Sequence, residues 1–274
     1  MESASKTLGR KTAALVTQLY EQGRTVFDLT EASRILGDDH RKTASLLRKA
    51  IRRGVFTSAG RGVFNLVPFE LGNVSTHLAD RYLLVQQAVG ITPYFLSHAS
   101  ALDLHRLQTQ PNFNVYASTS HRLRDRVLGG NPVHFVTIKP DDFFGVVEHD
   151  LGDKQQVRVS DLERTLVDAV RQPDYCGGIT EAAKAFFMAK GKANAARIAD
   201  YATRLGVVAT MRRAGFLMEL FDMADAELLA KMKQSLPQGV VKLDPSLDAA
   251  GPRRADWGLW LNQSPDALLA AAGT

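Results

Sequence analysis

Apolar residues recur along this chain at two different periods, and the changes of period mark out its elements. Leu15, Leu19 and Tyr20 fall on one side of a helix expected over residues 8–22, which Gly23 closes. Ala32, Ile35 and Leu36 repeat the helical spacing after Thr30, whose hydroxyl is placed to accept from the free amides of the first turn, and Gly37 stops this second helix. Asp38 or Asp39 then caps a third, in which Ala44, Leu47 and Ile51 share one side and Gly54 ends the run. Two short apolar runs follow, Val55-Phe-Thr57 and Val63-Phe-Asn-Leu66, around the glycine-rich loop Ser58-Ala-Gly-Arg-Gly62. Thr25-Val-Phe27 supplies a third strand for the same sheet. Helix, turn, helix and hairpin in that order predict a winged helix-turn-helix.

Pro68 to Asn73 carries a proline and Gly72 and reads as a boundary, so the expected domains are residues 1–70 and a larger one over 71–274. In the second, a helix is expected from Thr76 to Val89 and another from Ser97. Four β-rich runs follow, Phe113–Ala117, Val133–Ile138, Phe144–His149 and Gln155–Val159, predicting an antiparallel or mixed sheet. Ser160-Asp-Leu-Glu163 has the capping-box pattern ahead of Arg164-Thr-Leu-Val-Asp-Ala-Val170. Residues 180–236 are patterned as four helices, then a short strand at Val240–Leu243. The apolar Trp257-Gly-Leu-Trp-Leu261 is expected to dock on the core, and the last ten residues to be loosely held. The expected class is α+β, a winged helix-turn-helix followed by a larger mixed sheet-and-helix domain.

Charge sharpens this picture. Residues 1–67 carry 12 Lys+Arg against 6 Asp+Glu, whereas the remaining 207 carry 22 against 23. The excess therefore sits in the amino-terminal module, as phosphate neutralisation would require. From Arg41 to Arg61 no acidic residue interrupts the cations. Arg41, Ser45, Arg48 and Arg52 fall together on the third helix with Lys42 and Lys49 beside them, and Arg61 sits in the hairpin loop. These seven residues are the expected contacts to double-stranded DNA. A second basic strip, His121-Arg-Leu-Arg-Asp-Arg126, falls in a loop of the second region; it would extend that footprint, meet an acidic partner, or simply be a solvated loop.

The single cysteine, Cys176, excludes an internal disulfide framework and a thiolate zinc site, and fits a reducing cytoplasm. No hydrophobic signal core opens the chain and no run of about 18 apolar residues would span a bilayer, so a cytoplasmic protein without membrane contact is expected. The seven histidines show no zinc-binding spacing. No Gly-x-Ser-x-Gly elbow accompanies Ser97-His98, and Gly191-Lys192 lacks the rest of a phosphate-binding loop. No catalytic residue, metal or cofactor is expected. One alternative is a metal-dependent nuclease beginning at Asp141 and Asp142, with Glu148, Asp150 or Asp153 as further ligands, although no acidic-x-lysine set follows. Another is a transcription factor whose second domain senses a small ligand.

Four further segments carry a resemblance. They are Phe95-Leu-Ser-His-Ala-Ser-Ala-Leu-Asp-Leu-His105, Val159-Ser-Asp-Leu-Glu-Arg-Thr-Leu-Val-Asp168, Pro173-Asp-Tyr-Cys-Gly-Gly178 and Arg213-Ala-Gly-Phe-Leu-Met-Glu219. With the helix-turn-helix before them they resemble the AbiEi-type antitoxins of type IV toxin-antitoxin systems, over residues 10–222. The resemblance implies an amino-terminal domain that binds inverted repeats in its own promoter and represses the operon. It also implies a carboxy-terminal domain that counteracts a nucleotidyltransferase toxin, with direct contact between the two left open. Ser97, His98, Glu163, Arg164, Thr165 and Asp168 correspond to signature positions of that family. The residues themselves read as structural: Glu163 capping its helix, and Arg164 or Asp168 tying sheet to helix through an ion pair.

Overall fold

The computed structural model describes residues 8–60, 62–72, 77–152 and 155–273. It is an α+β protein whose chain forms two compact units. The first comprises Met1–Tyr94, His121–Phe135 and Glu148–Val157, and the second Phe95–Ser120, Val136–Val147 and Arg158–Thr274. The first unit thus takes in segments well beyond residue 70.

In the first unit, α1 (Arg10–Glu21), β1 (Val26–Asp28), α2 (Leu29–Leu36) and α3 (His40–Arg52) precede the hairpin β2 (Phe56–Gly60) and β3 (Val63–Leu66). The sheet order is β1-β3-β2, with β1 antiparallel to β3 through Phe27↔Phe64, so the expected third strand joins as predicted. Leu15, Val16, Leu19, Phe27, Ala32, Leu47, Ala50, Val55, Phe56 and Leu66 form one buried core. Phe27 meets Phe56 edge-on at 5.1 Å between centroids, a preferred aromatic geometry. Tyr20 does not join this core. It is 44% exposed and stacks on Phe69, because its position on α1 is rotated away from the Leu15–Leu19 side.

The expected helix over Thr76–Val89 is shorter in the structure, running as α4 (Arg81–Val89) with Asp80 capping the amide of Tyr82; the residue that would begin it lies outside the described residues. Next come β4 (Tyr94–Leu96), α5 (His98–Leu104), β5 (Val115–Thr119), β6 (Arg126–Leu128), β7 (Asn131–Thr137), β8 (Val146–Gly152) and β9 (Gln155–Ser160). A six-stranded sheet has the order β6-β7-β5-β4-β9-β8. It is mixed, since β4 and β9 run parallel at Leu96↔Val159 while β6 and β7 run antiparallel.

The second unit then builds α6 (Leu162–Arg171), α7 (Ile179–Ala189), α8 (Ala195–Arg204), α9 (Val208–Leu220) and α10 (Ala226–Ser235). Three two-residue strands, β10 (Val241–Lys242), β11 (Arg253–Arg254) and β12 (Leu259–Trp260), form a small sheet ordered β10-β12-β11. The chain closes with α11 (Pro265–Ala272), capped by the Ser264 hydroxyl, which accepts from the amide of Ala267. The tail is therefore not loosely held. Leu268 is fully buried in the helical core, which gives this last segment an apolar anchor. Trp257 is fully buried too, against Gly215 of α9, where an added Cβ would come within 2.2 Å of the ring.

Candidate nucleic-acid interface

The turn between α2 and α3 is fixed by three side-chain and backbone devices. Asp28, rather than the expected Thr30, caps α2 by accepting from the amide of Glu31 at 2.8 Å, because the helix starts two residues earlier than a Thr30 cap would place it. Gly37 takes a left-handed conformation at φ 63°, which glycine adopts at little cost, and ends α2. Of the two aspartates that follow, Asp39 caps α3, accepting from the Lys42 amide at 2.8 Å. That backbone N–H, foremost among several contacts, holds the Asp39 carboxyl below its ordinary range. Asp38 instead pairs with Lys11 of α1 at 2.6 Å. A side-chain cap of this kind contributes about 1 kcal/mol.

With its start fixed, α3 presents two distinct faces. Thr43, Leu47 and Ala50 are buried, and Ala44 and Ile51 are half-buried behind them. Arg41, Lys42, Arg48, Lys49 and Arg52 are exposed, with Ser45 half-buried among them. The spacing explains the grouping, since Arg41, Ser45, Arg48 and Arg52 recur every three or four residues. Lys42 reaches the Asp39 carboxylate at 3.4 Å. No ion pair involves Arg41, Arg48, Lys49 or Arg52 among the described residues. The result is a cationic face carrying four unneutralised side chains on a rod about 20 Å long.

Sequence reasoning missed two neighbours of this face. Arg10 at the start of α1 and Arg53 just after α3 are both exposed, and they line a groove with Lys42, Ser45 and Lys49. Arg53 could have been noticed as the residue after Arg52; Arg10 is brought close only by the packing of α1.

The hairpin is longer on its first strand than expected. β2 runs to Gly60, with a shift of register between Ser58 and Gly60. Arg61 lies outside the described residues. Gly129, at the turn between β6 and β7, donates to the Ala59 carbonyl at 2.6 Å, and a Cβ on Gly60 would meet the Leu128 side chain at 2.8 Å. The outer edge of β2 is therefore partly satisfied by chain from much later in the sequence. In the basic strip leading into β6, His121, Arg122 and Arg124 are exposed. Arg126 lies over the Phe135 ring, and Asp125 accepts from the Phe135 amide.

The signature residues of the second unit are buried and occupied with one another. Arg164 is fully buried, pairs with Asp168 at 3.0 Å, donates to the Asp142 and Phe144 carbonyls at 2.7 and 3.1 Å, and lies over the Phe144 ring. Glu163 is not a capping-box residue. Asp161 caps α6, and Glu163 accepts from the Asn194 amide at 2.8 Å instead, holding the start of α8. The His98 ring lies 2.9 Å from the Ser97 hydroxyl and 3.2 Å from the Gln172 amide oxygen, and burial pushes its pKa down. Neither Ser97 nor His98 reaches the surface, at 0% and 1% exposure. Of the nuclease candidates, Asp142 is buried and pairs with Arg171 at 3.3 Å, while Asp141 is exposed. Asp153 lies outside the described residues. Among the described residues, no group of three or more His, Cys, Asp or Glu is placed to hold a metal ion, and no helix is long and apolar enough to cross a membrane.

No protein-family model matches the sequence. No curated protein matches it. A solved structure, that of the RV2827C protein from Mycobacterium tuberculosis, is similar over 99% of this chain and 97% of its own, with a TM-score of 0.73. The likeness is one of fold: sequence identity is 14%, so side chains at corresponding positions are for the most part different.

Proposed function

We propose that this chain is a DNA-binding antitoxin. In this reading α1 to β3 form a winged helix-turn-helix that binds inverted repeats in its own promoter and represses the operon, and the second unit counteracts a nucleotidyltransferase toxin. The observation that carries the DNA half is the outer face of α3. Arg41, Arg48, Lys49 and Arg52 are exposed without an ion pair among the described residues, while Leu47 and Ala50 brace the helix from behind. A major groove accepts a helix of this kind, with cations steering and seating it on the phosphates. Lys42, Ser45 and the hairpin residue Arg61 complete the expected contact set. The antitoxin half is supported by the resemblance of the Ser97 to Leu102 and Glu163 to Asp168 segments to the AbiEi type.

The test separates the two halves. Reversing Arg48 and Arg52 to Glu is expected to abolish the shift of the upstream promoter fragment in a gel, yet to leave rescue of cells expressing the adjacent nucleotidyltransferase intact. Unchanged promoter affinity removes the reading helix from the account. Failure of the wild-type chain to rescue those cells removes the antitoxin assignment.

A further inference from the structure

The first unit holds a cavity of about 650 Å³ that the DNA reading does not use. It opens beside the turn from α1 into β1, the start of α2, the end of α4 and the start of β9. A volume of this size is typical of sites for small organic ligands, and far larger than one water or one ion requires.

Its floor is a hydrogen-bonded chain. Arg24 donates to Glu31, and through its other terminal nitrogen to the Gln87 amide oxygen at 2.8 Å. Gln87 donates in turn to Asp28 at 3.1 Å, and Gln155 donates to the Thr25 hydroxyl at 3.0 Å. Glu31 is 8% exposed, and its second carboxyl oxygen has no hydrogen-bond partner among the described residues. A buried oxygen left in that state asks for a donor. Arg24 is the movable wall beside it, with its side chain 41% exposed.

The fixed charges around this space balance: Arg24 and Arg34 against Asp28 and Glu31. Nothing here concentrates an ion of either sign. What remains free to recognise a guest is carboxamide chemistry beside the exposed Arg34 guanidinium, which makes no ion pair or hydrogen bond among the described residues. Gln22, Gln86 and Gln156 are exposed at the rim, and their side chains make no hydrogen bond among the described residues. Each presents a donor and an acceptor in one plane, the pattern that pairs with the edge of a heterocyclic base. Val26 and Leu83 supply apolar wall for a ring face.

The geometry points to a binding site for an uncharged nucleoside, its base held by the glutamine amides against the Arg24–Glu31 pair. The site does not depend on the DNA reading, and its test uses no DNA.

Adenosine, guanosine, cytidine and uridine are titrated separately into the full chain, followed by calorimetry and by ligand-observed NMR. At least one is expected to bind at a single site. The variant Q86A/Q156A, which alters only exposed side chains, is expected to weaken that binding about tenfold or more through the loss of two hydrogen bonds, with an unchanged melting temperature. The 5′-monophosphate of the same nucleoside is expected to bind no more tightly than the nucleoside. Absence of binding by all four up to their solubility limits overturns the site, as does equal affinity in wild type and variant. Tighter binding of the monophosphate overturns the uncharged class.

Discussion

The arginines of α3 and those of α6 and α9 are the same residue put to opposite uses. On α3, Arg41, Arg48 and Arg52 stand in solvent and pair with no carboxylate among the described residues. In the second unit Arg164, Arg212 and Arg213 are buried, and each spends at least two of its three nitrogens on named oxygens, although Arg164 Nη2 and Arg212 Nε have no hydrogen-bond partner among the described residues. Arg213 donates to the Val170 and Lys242 carbonyls at 3.0 to 3.1 Å, and Arg212 to the carbonyls of Pro237, Gly239 and Gly258. Guanidinium suits the second use because five rigid donors can tie several backbone segments at once. It suits the first because a cation that is not neutralised internally keeps its field for a partner. The difference teaches that cation count alone says little about nucleic-acid binding; what matters is whether the protein has already used the charge.

This contrast can be broken at either end. The largest effect is expected at Arg164. Replacing it with alanine leaves Asp168 buried without its partner and frees two carbonyls, and is expected to cost about 3–5 kcal/mol in urea denaturation. Loss of less than about 1 kcal/mol would mean that the buried arginines are not structural ties. Next comes Gly215→Ala, where the new methyl has to displace the Trp257 ring; a cost of about 1–3 kcal/mol is expected, read from the same denaturation midpoint. The double reversal R48E/R52E is expected to change stability by less than about 0.5 kcal/mol, since both side chains lie in water.

A smaller effect depends on pH. Glu219 accepts from Lys233 and Trp257, both at 2.6 Å. Burial raises its pKa, but these hydrogen bonds and the charges of Lys233 and Arg254 outweigh it and hold the carboxyl below its ordinary range. The stability it confers is therefore present above the carboxylate range of the unfolded chain, and disappears as pH falls through the lowered value. The melting temperature of E219Q should lie below that of wild type at neutral pH, with the gap closing on acidification. A constant gap would show that the charge is not the cause.

Much of this was legible in the residues, for reasons that also explain the failures. Alternation and helical spacing are local, so the three amino-terminal helices, the hairpin and the four helices between Ile179 and Ser235 follow the pattern closely. Caps were readable only to within a residue or two: Asp28 displaced Thr30, and Asp161 displaced the Ser160–Glu163 box, because neighbouring polar residues compete for the same amides. Long-range pairings left no local trace. The hydrogen bond from Gly129 to Ala59 joins residues 70 apart in the chain, and Glu163 bonds to Asn194 at a separation of 31. The candidate face of α3 was visible because periodicity alone gathers Arg41, Arg48 and Arg52. Arg10 and the glutamine-lined cavity were not, since folding brings their residues together.

The most direct test of the central claim is the salt dependence of promoter binding by the wild-type chain and by R41A/R48A/R52A. If the outward arginines of α3 neutralise phosphates, the slope of log affinity against log salt should fall in magnitude by about three in the triple variant, with K49A alone lowering it by about one. Equal slopes and equal affinities for wild type and triple variant would contradict it.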